Sequence, residues 1–131
     1  MANPNIVAVT AIYGVTTYLT PGGTSALVLL PNAAASGLVF KINQIVVSNT
    51  TASAANATVS IYTNGAVAQG GTPSSGTAYP IVSTVSVPAN ASLIAMDKTT
   101  SAYLMEGTSI TVTSGTTSAL TFTISYESIA S

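Results

Sequence analysis

Apolar and polar residues alternate with a period of two along most of this chain. In Leu120-Thr121-Phe122-Thr123-Ile124-Ser125-Tyr126-Glu127 the apolar side chains share one parity and the polar ones the other, as in a strand with one face on a core and the other in water. Ser109-Ile110-Thr111-Val112-Thr113, Thr58-Val59-Ser60-Ile61 and Thr84-Val85-Ser86-Val87 repeat the pattern. The many Val, Ile and Thr residues have stiff χ1 angles that suit strands better than helices. No useful window shows helical i, i+3, i+4 spacing; the nearest, Asn32 to Ser36, is short and follows Pro31.

The alternation predicts about eight strands: Asn5–Tyr13, Val15–Leu19, Ser25–Leu30, Leu38–Ser48, Thr58–Thr63, Ile81–Val87, Ser92–Met96 with Ala102–Leu104 as its continuation, Ser109–Thr113 and Ala119–Glu127. Turn signals separate them: Pro21-Gly22-Gly23, Ser36-Gly37, Asn64-Gly65, Pro88-Ala89-Asn90, Glu106-Gly107 and Ser114-Gly115. Such spacing indicates an all-β fold, a single antiparallel β-sandwich of jelly-roll or immunoglobulin-like type. Within Leu38–Ser48 the apolar parity changes around Asn43-Gln44, which predicts a β-bulge. The stretch from Asn64 to Pro80, rich in Gly, Ser, Thr and Pro, reads as a long surface loop of that domain. Two readings of it stand: a contact with a neighbour, anchored by Tyr79 and Val67, or a loose solvated loop.

Charge changes the picture most. Among 131 residues only Lys41, Asp97, Lys98, Glu106 and Glu127 are charged, and His, Cys and Trp are absent. Soluble proteins carry about a quarter of their residues as charged side chains; here the share is 4%. General acid–base catalysis, metal ligation and thiolate attack rely on the missing residue types. With a net charge of −1 and two basic residues, neither nucleic acid nor an anionic membrane is an expected partner. The longest apolar run, Ala26 to Leu30, falls far short of the roughly 18 residues of a membrane helix, and the N-terminus lacks the basic and apolar regions of a signal peptide. The sequons at Asn49, Asn56 and Asn90 are those that chance supplies in a chain rich in Asn, Ser and Thr.

No catalytic, cofactor-binding or metal-binding residue is assigned. Asp97-Lys98 sits at a predicted turn, Glu106 enters a tight turn, and Glu127 lies on the polar face of the last strand. Lys41, between Phe40 and Ile42, is expected on the solvent face opposite them. Pro21-Gly22-Gly23-Thr24 and Gly70-Gly71-Thr72 lack the Lys and the following helix of a phosphate-binding loop. The tyrosines Tyr13, Tyr18, Tyr62, Tyr79, Tyr103 and Tyr126 read as core edges or interface anchors. Burying a charge costs several kcal/mol unless it is paired, so a nearly uncharged surface suits a subunit packed against neighbours, in contacts insensitive to salt.

Several segments resemble a group of small virion structural proteins of tailed phages, cyanophages in particular. They are Asn5-Ile6-Val7-Ala8-Val9-Thr10-Ala11-Ile12-Tyr13-Gly14; Gly37-Leu38-Val39-Phe40-Lys41-Ile42-Asn43 leading into Ile45-Val46-Val47-Ser48-Asn49; Val85-Ser86-Val87-Pro88 with Ser92-Leu93; Tyr103-Leu104-Met105-Glu106-Gly107; and Ile124-Ser125-Tyr126-Glu127. Those proteins usually carry an acidic residue where this chain has Thr108. The resemblance implies a non-enzymatic β-sandwich subunit located in the virion. The favoured role is a capsid decoration (cement) protein bound to the major capsid protein or other virion proteins, in homo-oligomeric form. A tail, neck or fibre component is the alternative within the virion. A secreted carbohydrate-binding module is the alternative of another class.

Overall fold

The computed structural model describes residues 4–131. Nine strands form two antiparallel sheets: β1 Ala11–Leu19, β2 Leu27–Asn32, β3 Leu38–Asn49, β4 Ala55–Tyr62, β5 Ala78–Val87, β6 Ser92–Met96, β7 Ala102–Leu104, β8 Thr108–Ser114 and β9 Leu120–Ala130. The larger sheet runs β1-β9-β3-β6, with β7 also on β3, and the smaller runs β2-β8-β4-β5. β6 pairs with Ile45–Ser48 of β3 and β7 with Phe40–Ile42. The two are therefore halves of one edge strand, interrupted by a 3₁₀ turn at Lys98–Thr100. With β6 and β7 counted together, the orders become 1-8-3-6 and 2-7-4-5. Every connection except the β4–β5 hairpin and the β6–β7 break then crosses between sheets, which is jelly-roll winding.

Alternation fills the space between the sheets. Phe40, Ile42, Ile45 and Val47 from β3 and Leu120, Phe122 and Ile124 from β9 meet Leu29, Val59, Ile110 and Val112 of the smaller sheet in one buried cluster. The parity change in β3 is a bulge: the register with β9 shifts between Ile42 and Gln44, so Ile42 and Ile45 both face inward. Tyr126 closes one end, its ring 4.9 Å from that of Phe40.

Two buried asparagines stitch the loops to the sheets. Asn32 Nδ2 donates to the carbonyls of Leu38 and Leu104, and its Oδ1 accepts from Ser36 Oγ. Asn49 Nδ2 donates to the carbonyls of Ser53 and Val87, and its Oδ1 accepts from the N–H and hydroxyl of Thr51. Among the described residues no buried side-chain polar atom lacks a partner.

The elements differ from expectation in three main places. Residues 5–10 do not form strand; β1 begins at Ala11, opposite Ala130 near the end of β9, and continues through Gly14 without a break. Residues before Ala11 have little of β9 left to pair with. β2 continues through Pro31 to Asn32, which an edge strand tolerates because one side of its backbone needs no ladder bonds. β4 starts at Ala55 and β5 at Ala78, earlier than their β-branched residues indicate, because the two strands pair along Ala55–Tyr62. Asn64-Gly65 opens the long connection, as the composition of that stretch indicates. Gly65 is buried there, and a Cβ on it would run into the carbonyl oxygens of Asn32 and Thr108.

Candidate functional site

The long connection between β4 and β5 is fastened to the sheet and not loose, while most of its residues stay exposed. Gly70 N–H donates to Val28 C=O at 2.8 Å, and Val28 N–H donates to Gly71 C=O at 2.9 Å. Tyr62 hydroxyl accepts from Gly76 N–H, Ser109 hydroxyl donates to Asn64 C=O, and Gln69 Nε2 donates to Thr17 Oγ1 and Tyr18 C=O. The connection is thus fastened to the outer side of the smaller sheet. Val28, Ser60, Tyr62, Ser109 and Thr111, which alternate with core residues, are buried as a result. Val67 is half-buried; only Tyr79 of the two expected anchors is largely exposed.

The larger sheet has the opposite character, and its outer face is open. Register places Gly14, Glu127, Lys41 and Tyr103 in one row across β1, β9, β3 and β7. Thr16, Ser125 and Gln44 form a second row, and Tyr18, Thr123, Val46 and Ile94 a third. Hydroxyl contacts bind the rows sideways: Thr16 Oγ1 and Ser125 Oγ lie 2.9 Å apart, Thr20 and Thr121 hydroxyls 2.8 Å apart. Tyr18, Ile94, Tyr103 and Ile12 stand exposed around the margin. The face is a hydroxyl-rich surface with an apolar rim, crossed by the Glu127–Lys41 row.

Where β3 bulges, a shallow groove of about 490 Å³ opens, lined by Asn43, Gln44, Asp97, Lys98, Thr99 and Ser125. The bulge positions Asn43 and Gln44, and the 3₁₀ turn supplies the other wall. Both carboxylates near the groove are engaged. Glu127 Oε2 accepts from Asn43 Nδ2 at 2.9 Å. Asp97 Oδ1 accepts from Thr99 N–H and hydroxyl, while Thr100 hydroxyl accepts from Asp97 N–H in a reciprocal cap. Lys41 faces outward between Glu127 and Tyr103, opposite its buried neighbours, as alternation requires.

The Thr99 hydroxyl, then the Thr99 N–H, hold the Asp97 carboxyl below its ordinary value of 3.8. A depressed folded-state value means that the carboxylate stabilises the fold above the unfolded-state value, and that this is lost as pH falls through the folded-state value. The melting-temperature gap between wild type and Asp97→Asn should hold constant from neutral pH to about 4 and shrink in stronger acid. A gap unchanged at about pH 2 would mean that the cap does not depend on the charge.

Glu106 lies elsewhere. Its Oε2 accepts from Gly37 N–H at 3.1 Å, tying the β2–β3 turn to the β7–β8 turn; Gly37 and Gly107 adopt φ of 73° and 76° there, a region open to glycine at no steric cost. Among the described residues no three carboxylates gather as a metal cluster, and no helix is long and apolar enough to cross a membrane. The sequence singles out Asn43 and Gln44 as a bulge and not as a site, and gives no signal to Thr99 and Ser125. The chain matches no protein-family model, no curated protein and no solved structure.

Proposed function

We propose that the chain is a non-enzymatic virion structural protein of a tailed phage, a decoration (cement) protein that stabilises the head lattice. The open outer face of the larger sheet carries this reading. It is rich in Thr and Ser and rimmed by exposed Ile12, Tyr18, Ile94 and Tyr103, and its two charges, Lys41 and Glu127, lie opposite each other in one row. The segmental resemblance supplies the virion context. A subunit that binds the assembled shell and not its free components stabilises that shell by mass action.

The test is to quantify the protein in purified virions by mass spectrometry and cryo-electron microscopy. A fixed ratio to the major capsid protein, with density on the head, is the expected result. A few copies at one vertex would move the protein to the neck, tail or fibres, and its absence would end the virion reading. Attachment should also survive washing at about 1 M salt, where charge–charge attraction is screened within about 3 Å. Release at modest ionic strength would instead indicate electrostatic docking.

The carbohydrate-binding alternative draws on a specific feature, the groove at the β3 bulge with its Asn, Gln, Asp and Lys side chains. Glycan-array binding lost in Gln44→Ala would favour it over the virion reading.

A further inference from the structure

A β-sandwich of two open sheets has four edge strands, and bare edges invite pairing with other chains. Three of the four are blocked here. The β2 edge is capped by the loop, whose Gly70 and Gly71 take both the C=O and the N–H of Val28. β5 contains Pro80, register shifts on both sides of Val59, and Thr84 at a φ of 52°. The β6/β7 edge is broken by the 3₁₀ turn that carries Asp97 and Lys98.

β1 has none of these devices. Its nine residues pair with β9 in unbroken register from Ala11 to Leu19, and it contains no proline and no charge. It extends beyond the cover of the smaller sheet, so apolar side chains on both of its faces are open: Tyr13 is 67% exposed, Ile12 55% and Val15 37%. At the Leu19 end of its free edge the Gln69 side chain donates to Tyr18 C=O. Backbone groups alternate in direction along an antiparallel strand. Since Tyr18 C=O points off the sheet, so do the N–H and C=O of Ile12, Gly14 and Thr16.

We propose that this edge pairs with the β1 edge of a second copy of the chain, antiparallel about a two-fold axis at Gly14. The contact gives form to the homo-oligomer expected from the sequence and does not depend on the virion role. The free backbone groups dictate the register. Ile12, Gly14 and Thr16 are symmetric about Gly14, and they leave Tyr18 to Gln69. Ile12 then faces Thr16 of the second copy and Gly14 faces its own counterpart, giving roughly six ladder hydrogen bonds. On the other face Tyr13 meets Val15 of the second copy, twice by symmetry, an aromatic–β-branched pairing that favours strand association. At the axis Gly14 has no Cβ, and nothing lies within 4 Å of where one would stand. A self-complementary strand without charge fits a copy of itself better than a charged foreign strand. The two larger sheets become one continuous sheet across the axis.

Sedimentation of the wild type and of Tyr13→Lys tests the contact. The wild type should form a concentration-dependent dimer, and Tyr13→Lys should weaken it about tenfold or more while keeping the native far-ultraviolet circular dichroism. The register has its own test, because the chain contains no cysteine. A Tyr13→Cys/Val15→Cys double variant places the two thiols in a non-hydrogen-bonded pair at about 4.5 Å between Cα atoms, within disulfide range, and should cross-link into dimers on mild oxidation. A wild type that stays monomeric, or a dimer untouched by Tyr13→Lys, overturns the proposal. Cross-linking of Tyr13→Cys/Thr17→Cys in place of the first pair overturns the Gly14 axis. A dimer absent from virions would sink the virion role alone, and a monomer found on virions would sink the β1 contact alone.

Discussion

Phe122→Ala should cost about 3–5 kcal/mol of folding stability. Against a total of about 5–15 kcal/mol, that is enough to lower the melting temperature by roughly 10–20 °C. Phe122 is fully buried and among the largest side chains of the core. It sits on β9 between Leu19 of β1 and Val47 of β3, so truncation opens a cavity at the middle of the larger sheet. The backbone around it is fixed by ladders on both sides and cannot easily collapse into the void, which places the loss at the upper part of the range for such deletions. Thermal and urea unfolding read it directly. A drop below about 1 kcal/mol would mean that the core repacks around the void.

The second large effect is expected at Asn49. Asn49→Asp replaces an amide that donates to two carbonyls, at 2.8 and 3.0 Å, with oxygen atoms that repel them. The buried carbonyl of Val87 loses its donor, that of Ser53 keeps only the Thr51 hydroxyl, and a charge is held where only 3% of the residue is exposed. Each unsatisfied buried group costs about 1–3 kcal/mol and a charge more, so a loss of roughly 3 kcal/mol or more is expected. The introduced carboxyl should titrate above its ordinary range, because burial beside carbonyls disfavours its charged form. A folded-state value raised above the unfolded one means that stability is recovered as pH falls, the reverse of the behaviour at Asp97. The melting deficit of Asn49→Asp should therefore narrow in acid. A deficit independent of pH would show that shape and not charge causes it.

These two sites differ in how far the sequence announces them. Phe122 sits in the strongest alternating run of the chain, and its inward parity is evident from Leu120 to Tyr126. The β3 bulge is equally legible, because two apolar parities meeting at Asn43-Gln44 require one extra residue. The bridging of β6 and β7 along one edge also follows from the pattern. Asn49 gives no such sign. Asparagine is common at turns, and the tripeptide reads as a chance sequon; three of the four hydrogen bonds of its amide are to Thr51 and Ser53 close by, but the one that ties it to Val87 comes from a strand distant in sequence. The residues ahead of Ala11 fail for a related reason: period-two alternation shows that a segment can be a strand, not that a partner remains for it. The fastening of the 64–80 loop depends on Gln69, Gly70, Gly71 and Gly76 meeting groups on β1, β2 and β4, which composition alone cannot foresee. The jelly-roll winding, left open against the immunoglobulin-like one, needed the strand order itself.

The place of β9 has a consequence in time. The last strand of the chain lies between β1 and β3, with Ala11 set opposite Ala130. On a ribosome, β1 and β3 emerge long before the strand that must separate them, and the larger sheet can close only once β9 has followed. Contacts so distant in sequence make for slow folding, on the scale of milliseconds to seconds. In that interval the nascent chain displays strands that lack their proper neighbour. The eleven residues of β9 are thus the keystone of the larger sheet, and their arrival lets that sheet close.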